Sequence, residues 1–217
     1  MVCFLINSSS AGAAGKFTDS RKLDNLCAEY AEFLDRILNG EQGGIDLKSL
    51  CIIPGALIWV INVDVLILEF GGNLLDVLFL AVRGALYTTK MPLVTVESFE
   101  GAFEYEIGSE EILPLNGRED IPVSVTFIKI GKRYILDPTL QEELCADASL
   151  TMCFNSKGQI CSLKKSGQGS IEPSLLSAIL QAGHPVGQGL IQNMAAALES
   201  EELRISQADQ ETCPIIR

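Results

Sequence analysis

The sequence predicts an α+β fold built from two sheet-and-helix units. Three observations carry that prediction. Short apolar or alternating runs, read as strands, are interleaved with two segments of helical spacing in the first half. Two strand hairpins followed by helical segments fill the second half. Finally, 217 residues with 47% hydrophobic content are enough to bury a core without disulfide or metal staples, as one large domain or two small ones. The element order reads βαββαβ, then ββββαα.

Residues 2–6 are short and apolar and predict a buried strand. A loop of small residues follows over 8–15. Asp19 and Ser20 are capping residues for a helix over 21–38, where Leu23, Leu26, Tyr30, Leu34, Ile37 and Leu38 recur mostly at spacings of three and four. Gly40 ends that helix. Residues 47–53 lead to a Pro54-Gly55 turn. Residues 56–70 are rich in Ile and Val and predict a long or bent strand, apolar on both faces and therefore central. Gly71-Gly72 breaks the chain sharply. A helix is predicted over 73–88 from Leu74, Leu75, Leu78, Ala81, Val82 and Ala85, with a short strand at 93–96 after Met91-Pro92.

Residues 98–120 are acidic and irregular, and predict short strands and loops with a hinge. Residues 123–130 alternate, turn at Gly131-Lys132 and return over 133–136. A polar connection at 137–148 precedes a second hairpin of 150–154 with 159–163. Pro173 opens a helix to about 181, and a further helix runs over 185–199. The organisation is therefore an N-terminal half at 1–97, an acidic connection at 98–120, a C-terminal half at 121–199 and a loose polar tail at 200–217.

Sixteen Lys and Arg against 28 Asp and Glu leave a net charge of −12. That argues against an independent nucleic-acid binder, whose affinity rests on cations set against phosphates. The seven cysteines form no CxxC pair, and His184 is the only histidine, so no zinc spacing can be built. Buried thiols in a reducing compartment are expected. The start of the chain lacks the basic residues of a secretory signal, and Asn62, Asp64 and Glu69 interrupt the longest apolar run. A soluble intracellular protein is expected.

Isolated motifs offer little chemistry. Residues 12–16 contain Gly12, Gly15 and Lys16 but lack the spacing and the following Ser/Thr of a phosphate loop. The Gly-rich 166–170 segment follows a hairpin and reads as a turn before a helix. His184, between Gly183 and Pro185, is expected at a helix end in a capping role. Asp137, Glu142, Glu143 and Asp147 place four carboxylates within eleven residues. Such a set suits a Mg²⁺ site or acid/base chemistry, or else a solvated face.

Three stretches change the reading: WVINVDVLILEFGGNLLD at 59–76 with LAVRGAL at 80–86, YILDPTLQEE at 134–143, and CSLKKSG at 161–167. Together they resemble the RNase PH family of phosphate-dependent 3′ exoribonucleases and their inactive relatives. The resemblance runs from about Val2 to Leu198. It implies a two-half fold of the ribosomal protein S5 domain 2-like kind, with mixed sheets packed against helices. It implies assembly with other RNase PH-like subunits into a six-membered RNA exosome ring bearing RNA-binding cap subunits. RNA would pass through that ring during rRNA processing and mRNA decay, in the nucleus, nucleolus and cytoplasm. No membrane partner, metal or cofactor is implied.

The site residues implied by the resemblance are mostly missing. Active relatives carry Thr-Arg after the double glycine, and the Arg grips phosphate. Phosphorolysis needs such a cation, because an anion must attack an anionic diester. Here those positions hold Asn73 and Leu74. Paired Asp residues of active relatives match Glu143 and Ser149. A non-catalytic ring subunit is expected. The alternatives are an active phosphorolytic enzyme using Glu143 and Asp147, and a non-functional truncated product. Arg83 and Lys90 are the expected RNA contacts. The family also carries a helix and strands ahead of the segment that begins here at Val2. The chain therefore reads as N-terminally incomplete, with a first sheet short of partners and an apolar edge exposed.

Overall fold

The computed structural model describes residues 2–8, 20–40, 43–99 and 102–211. Strand β1 (Val2–Ser8) pairs in parallel with β4 (Ile61–Ile67), Val2 lying opposite Ile61. Helix α1 (Ser20–Leu38) crosses between them in sequence, as a parallel pair requires. Its buried stripe is Cys27, Phe33, Leu34, Ile37 and Leu38, at the spacing the sequence announces. Asn39 just past its end ties the helix to β1, accepting from Val2 N at 3.1 Å and donating to Val2 O at 2.8 Å. The small-residue loop with Gly12, Gly15 and Lys16 lies outside the described residues.

The strand expected over 56–70 is broken. A two-residue β3 (Leu57–Ile58) pairs with β2 (Cys51–Ile53), and β4 follows. Nor is β4 central: among the described residues β1 is its one partner strand. Ile61, Val63, Val65 and Ile67 face the core, while Leu66 and Leu68 are 58% and 68% exposed. Apolar residues on both faces were consistent with burial, but only the neighbouring elements decide it. Helix α2 (Leu74–Thr88) packs on this layer through Leu75, Leu78, Phe79, Val82 and Leu86.

The acidic segment is also more ordered than expected. Strands β5 (Lys90–Phe99) and β6 (Ala102–Pro114) form one long antiparallel ribbon, followed by a short 3-10 helix at Arg118–Asp120. Alternation within the ribbon sorts its residues. Val96 and Tyr105 oppose each other on one face, Glu97 and Glu104 on the other. A high local carboxylate count concealed that period of two.

The second half is a four-stranded antiparallel sheet in the order β10-β9-β7-β8, made of β7 (Val123–Ile130), β8 (Arg133–Leu136), β9 (Ala148–Phe154) and β10 (Ile160–Ser166). Between the hairpins lies α3 (Leu140–Leu144), where only a polar connection was expected. Its signature is Thr139-x-x-Glu142: Thr139 Oγ1 accepts from Glu142 N, and the Glu142 carboxylate accepts from Thr139 N at 2.8 Å.

Two expected helices merge into one, α4 (Pro173–Glu211), which also absorbs the start of the expected polar tail. Pro185 lies inside it, at a position that normally breaks a helix. The stripe Ile179, Gly183, Gly187 and Ile191, spaced by four, lies buried on the sheet. A Cβ on Gly187 would sit 2.5 Å from Phe154 Cδ2, so the glycines let the helix approach the aromatic core. That close packing holds the helix together across Pro185. His184 is therefore mid-helix rather than at an end, its ring edge-on to Phe154 at 6.2 Å.

The core has two parts. One gathers α1, α2 and the β1–β4 layer; the other lies between the second sheet and α4. Of the six described cysteines, all free, Cys27 and Cys153 are buried but Cys51 and Cys145 are exposed. The expectation of buried thiols holds for only part of the set. No helix among the described residues is long and apolar enough to cross a membrane.

Candidate functional site

A cavity of about 550 Å³ opens where the two halves meet. Leu26, Glu29 and Tyr30 come to it from α1, and Phe70 with Asn73 to Leu75 from the double-glycine turn. The far wall is Thr126 and Ile128 of β7, Glu143 and Leu144 of α3, Ser149 and Thr151 of β9, and Lys164 of β10.

The turn that shapes it is tightly held. Gly72 has φ +120°, and a Cβ there would lie 2.5 Å from Pro138 O and 2.6 Å from Leu140 N. Gly71 O accepts from Leu140 N at 2.9 Å. Asn73 is left-handed, a conformation Asn tolerates, with φ 48°. Its backbone N–H donates to Glu143 Oε1 at 2.8 Å, and its Nδ2 donates to Asp137 Oδ1 at 2.7 Å. Asn73 Oδ1 is buried and has no partner.

One turn into α2, Asp76 is buried and bridges the halves. It accepts from Ser124 Oγ at 2.6 Å, Thr126 N at 2.7 Å and Thr126 Oγ1 at 2.8 Å. Burial raises its carboxyl above the usual range, and those donors oppose the rise. Glu143 is raised too, by burial first and by the Asp76 charge, with the Asn73 N–H opposing. Burial likewise raises the Tyr30 phenol.

Lys164 is the one basic residue in the lining, and it is fully engaged. Its Nζ lies 2.7 Å from Glu29 Oε1 and over the rings of Tyr30 and Phe33, at 5.3 Å and 4.8 Å from their centroids. The lining thus offers two carboxylates against one paired cation, between largely apolar walls.

Comparison with known proteins gives the family of the chain. Residues 120–185 match the 3′ exoribonuclease family, domain 2. An exosome complex component Rrp42 of Methanocella arvoryzae is 37% identical over 153 residues, 70% of this chain and 54% of that one. The Rrp42 component of Methanothermobacter thermautotrophicus is 32% identical over 189 residues, 87% of this chain and 68% of that one. The chain belongs to the RNase PH family. Among solved structures, a chain of the Archaeoglobus fulgidus exosome with RNA bound to the active site superposes with a TM-score of 0.69, at 29% identity. The match covers 88% of this chain and 70% of that one. This RNase PH-family chain spans about half the length of several of the curated relatives it matches.

The fold and the family expected from the three sequence stretches both hold. The candidate residues sort differently. Glu143, Ser149, Asn73 and Leu74 do converge on the cavity. Asp147 stays outside its lining: it is exposed, and its Oδ2 accepts from Gly131 N at 2.8 Å. Glu142 closes the α3 capping box, and Asp137 holds Asn73. No group of three or more metal-ligating side chains forms among the described residues. Of the four carboxylates, Asp137 and Glu143 both hold Asn73, Glu142 caps α3 and Asp147 holds the β7–β8 turn.

Arg83 needs correction. It is 2% exposed, its Nη2 donating to Glu119 O at 2.9 Å, so no RNA strand can reach it in this structure. Its place within the buried stripe of α2, next to Val82 and one turn after Phe79, was the available signal. Lys90 is exposed at the start of β5. Sequence reasoning missed Glu29, Tyr30 and the pairing of Lys164. They lie on elements far apart in sequence, and nothing local joins them.

Proposed function

We propose that this chain is a non-catalytic structural subunit of the RNA exosome core ring. It supports 3′→5′ RNA processing and degradation, including rRNA processing and mRNA decay, in nucleus, nucleolus and cytoplasm. Its partners are other RNase PH-like ring subunits and RNA-binding cap subunits, with RNA passing through the assembled ring. Lys90 is its candidate RNA contact.

One observation supports the reading: the cavity where Asn73, Leu74, Glu143 and Ser149 converge has Lys164 as its one lining cation, and Lys164 is paired. Leu74 stands where active relatives place a phosphate-gripping Arg, and Lys164 is committed to Glu29. Inorganic phosphate entering there would meet the Glu29 and Glu143 carboxylates, and anion attack on an anionic diester would go unassisted. Ser149, in place of a second carboxylate, offers no strong base.

The test has two readouts. Incubation with poly(A), phosphate and Mg²⁺ is expected to release no nucleoside diphosphate; release abolished by Glu143→Gln would establish the active-enzyme alternative instead. Co-expression with RNase PH-like ring subunits is expected to recover a stable complex. Recovery of the chain only as free monomer or aggregate would point to a non-functional product.

A further inference from the structure

We infer that the outer edge of β6, over residues 103–107, is a docking site for an extended segment of another protein. That segment adds to the ribbon as a third strand and alternates apolar and basic residues. Ring membership is not required for it. β6 pairs with β5 and with no other strand among the described residues, so every second residue of β6 turns its N–H and C=O outward. An isolated two-stranded ribbon is marginal in water, and a third strand is the ordinary remedy.

The edge reads Phe-Glu-Tyr-Glu-Ile, and the ribbon register sorts these residues by face. Phe103, Tyr105 and Ile107 share one face with Val94 and Val96, whereas Glu104 and Glu106 share the other with Thr95 and Glu97. The three apolar side chains of β6 are each more than half exposed, in an unbroken row rather than singly. The sequence holds no Lys or Arg between Lys90 and Arg118. Neither Glu104 nor Glu106 has an ion pair or a hydrogen bond among the described residues.

These charges select the occupant. A second copy aligned antiparallel about Tyr105 sets Glu104 beside Glu106, and a parallel copy sets each Glu beside itself. A copy offering its β5 edge brings Glu97 and no cation over residues 94–97. Every such pairing leaves carboxylates uncompensated and opposes self-association. A strand with Lys or Arg at alternate positions reverses the sign on that face. Its intervening apolar side chains cover Phe103, Tyr105 and Ile107 on the other. Main-chain hydrogen bonds then supply affinity, and the alternation supplies specificity.

The test uses the full chain and three labelled heptapeptides: one alternating Val and Lys, one of the same composition with its Lys residues in a block, and one alternating Val and Glu. Anisotropy reads binding, and amide shifts along β6 locate it. The alternating Val-Lys peptide is expected to bind saturably. The block peptide controls for the acidity of the whole chain and is expected to bind at least about tenfold more weakly, the scale of two cross-strand charge pairs. The Val-Glu peptide is expected not to bind. The double substitution Glu104→Lys with Glu106→Lys should exchange the preference, losing the Val-Lys peptide and taking up the Val-Glu one, which also shows that the variant is folded. If it binds neither, Glu104→Gln with Glu106→Gln decides, because it keeps the shape and removes only the charge. Affinity for the Val-Lys peptide should then fall about tenfold. No saturable binding, equal binding of the block peptide, or unchanged affinity in the Gln variant would each overturn the proposal. So would a dimer in sedimentation that the Val-Lys peptide dissociates, because the occupant would then be a second copy.

Discussion

The Glu143 carboxylate accepts the backbone N–H of Asn73 at 2.8 Å, across seventy residues of sequence. This bond satisfies a donor at the start of α2 and fixes α3 against the double-glycine turn. It also leaves Glu143 half-buried, with its carboxyl held above the ordinary range. Glu143 is thereby part of the joint between the two halves.

That burial sets a pH dependence with a definite sign. The folded chain holds the Glu143 proton more tightly than the unfolded chain does. Its contribution is therefore full below the ordinary carboxyl value of 4.5 and is lost as pH rises through the raised folded value. Urea unfolding in steps upward from about pH 4.5 is expected to show a falling stability component in the parent that Glu143→Gln lacks. Parallel curves for the two would refute the assignment.

Gly71 and Gly72 are expected to respond in opposite ways to alanine. A Cβ on Gly71 meets nothing within 4 Å. On Gly72 it meets the backbone of Pro138 to Leu140 at 2.5–2.6 Å, at φ +120°. Gly72→Ala should lose about 2 kcal/mol or more, against less than about 0.5 kcal/mol for Gly71→Ala. Thermal unfolding of the pair measures the difference.

Asp76 and Arg83 are both buried charges on α2 with opposite expected outcomes. Asp76→Ala strands the Ser124 hydroxyl and the Thr126 backbone N–H, while the Thr126 hydroxyl keeps Thr151 Oγ1 at 2.9 Å. It is expected to lose about 3 kcal/mol. Arg83 places only Nη2 on an acceptor, leaving Nε and Nη1 buried and unmatched. Arg83→Met keeps the packing and removes the mismatch, so its stability should change by less than about 1.5 kcal/mol. Denaturant midpoints decide both. Equal large losses would show that Arg83 is matched in solution.

The β5–β6 ribbon sets Glu97 directly opposite Glu104. Both are exposed. Glu97→Lys replaces a like-charge pair with an opposite one and is expected to stabilise the ribbon by up to about 1 kcal/mol. Amide exchange at Val96 and Tyr105 reports it, and raised salt should shrink the gain.

The sequence by itself determined most elements, because helices and hairpins write their period into neighbouring residues. The α1 stripe, the α2 stripe, the β7–β8 turn and the family-bearing stretches are all of this kind. It also announced α3 through Thr139 and Glu142, a signal passed over among so many carboxylates. Only tertiary structure decided the rest. Whether β4 is central depends on which strands lie beside it. Whether Pro185 ends a helix depends on how closely Gly183 and Gly187 pack on the sheet. Whether Arg83 meets solvent depends on the 3-10 helix lying over it. The site follows the same rule: Asn73, Glu143, Glu29 and Lys164 are scattered along the chain. Their charges acquire meaning only through distances of a few ångströms, which no local period encodes.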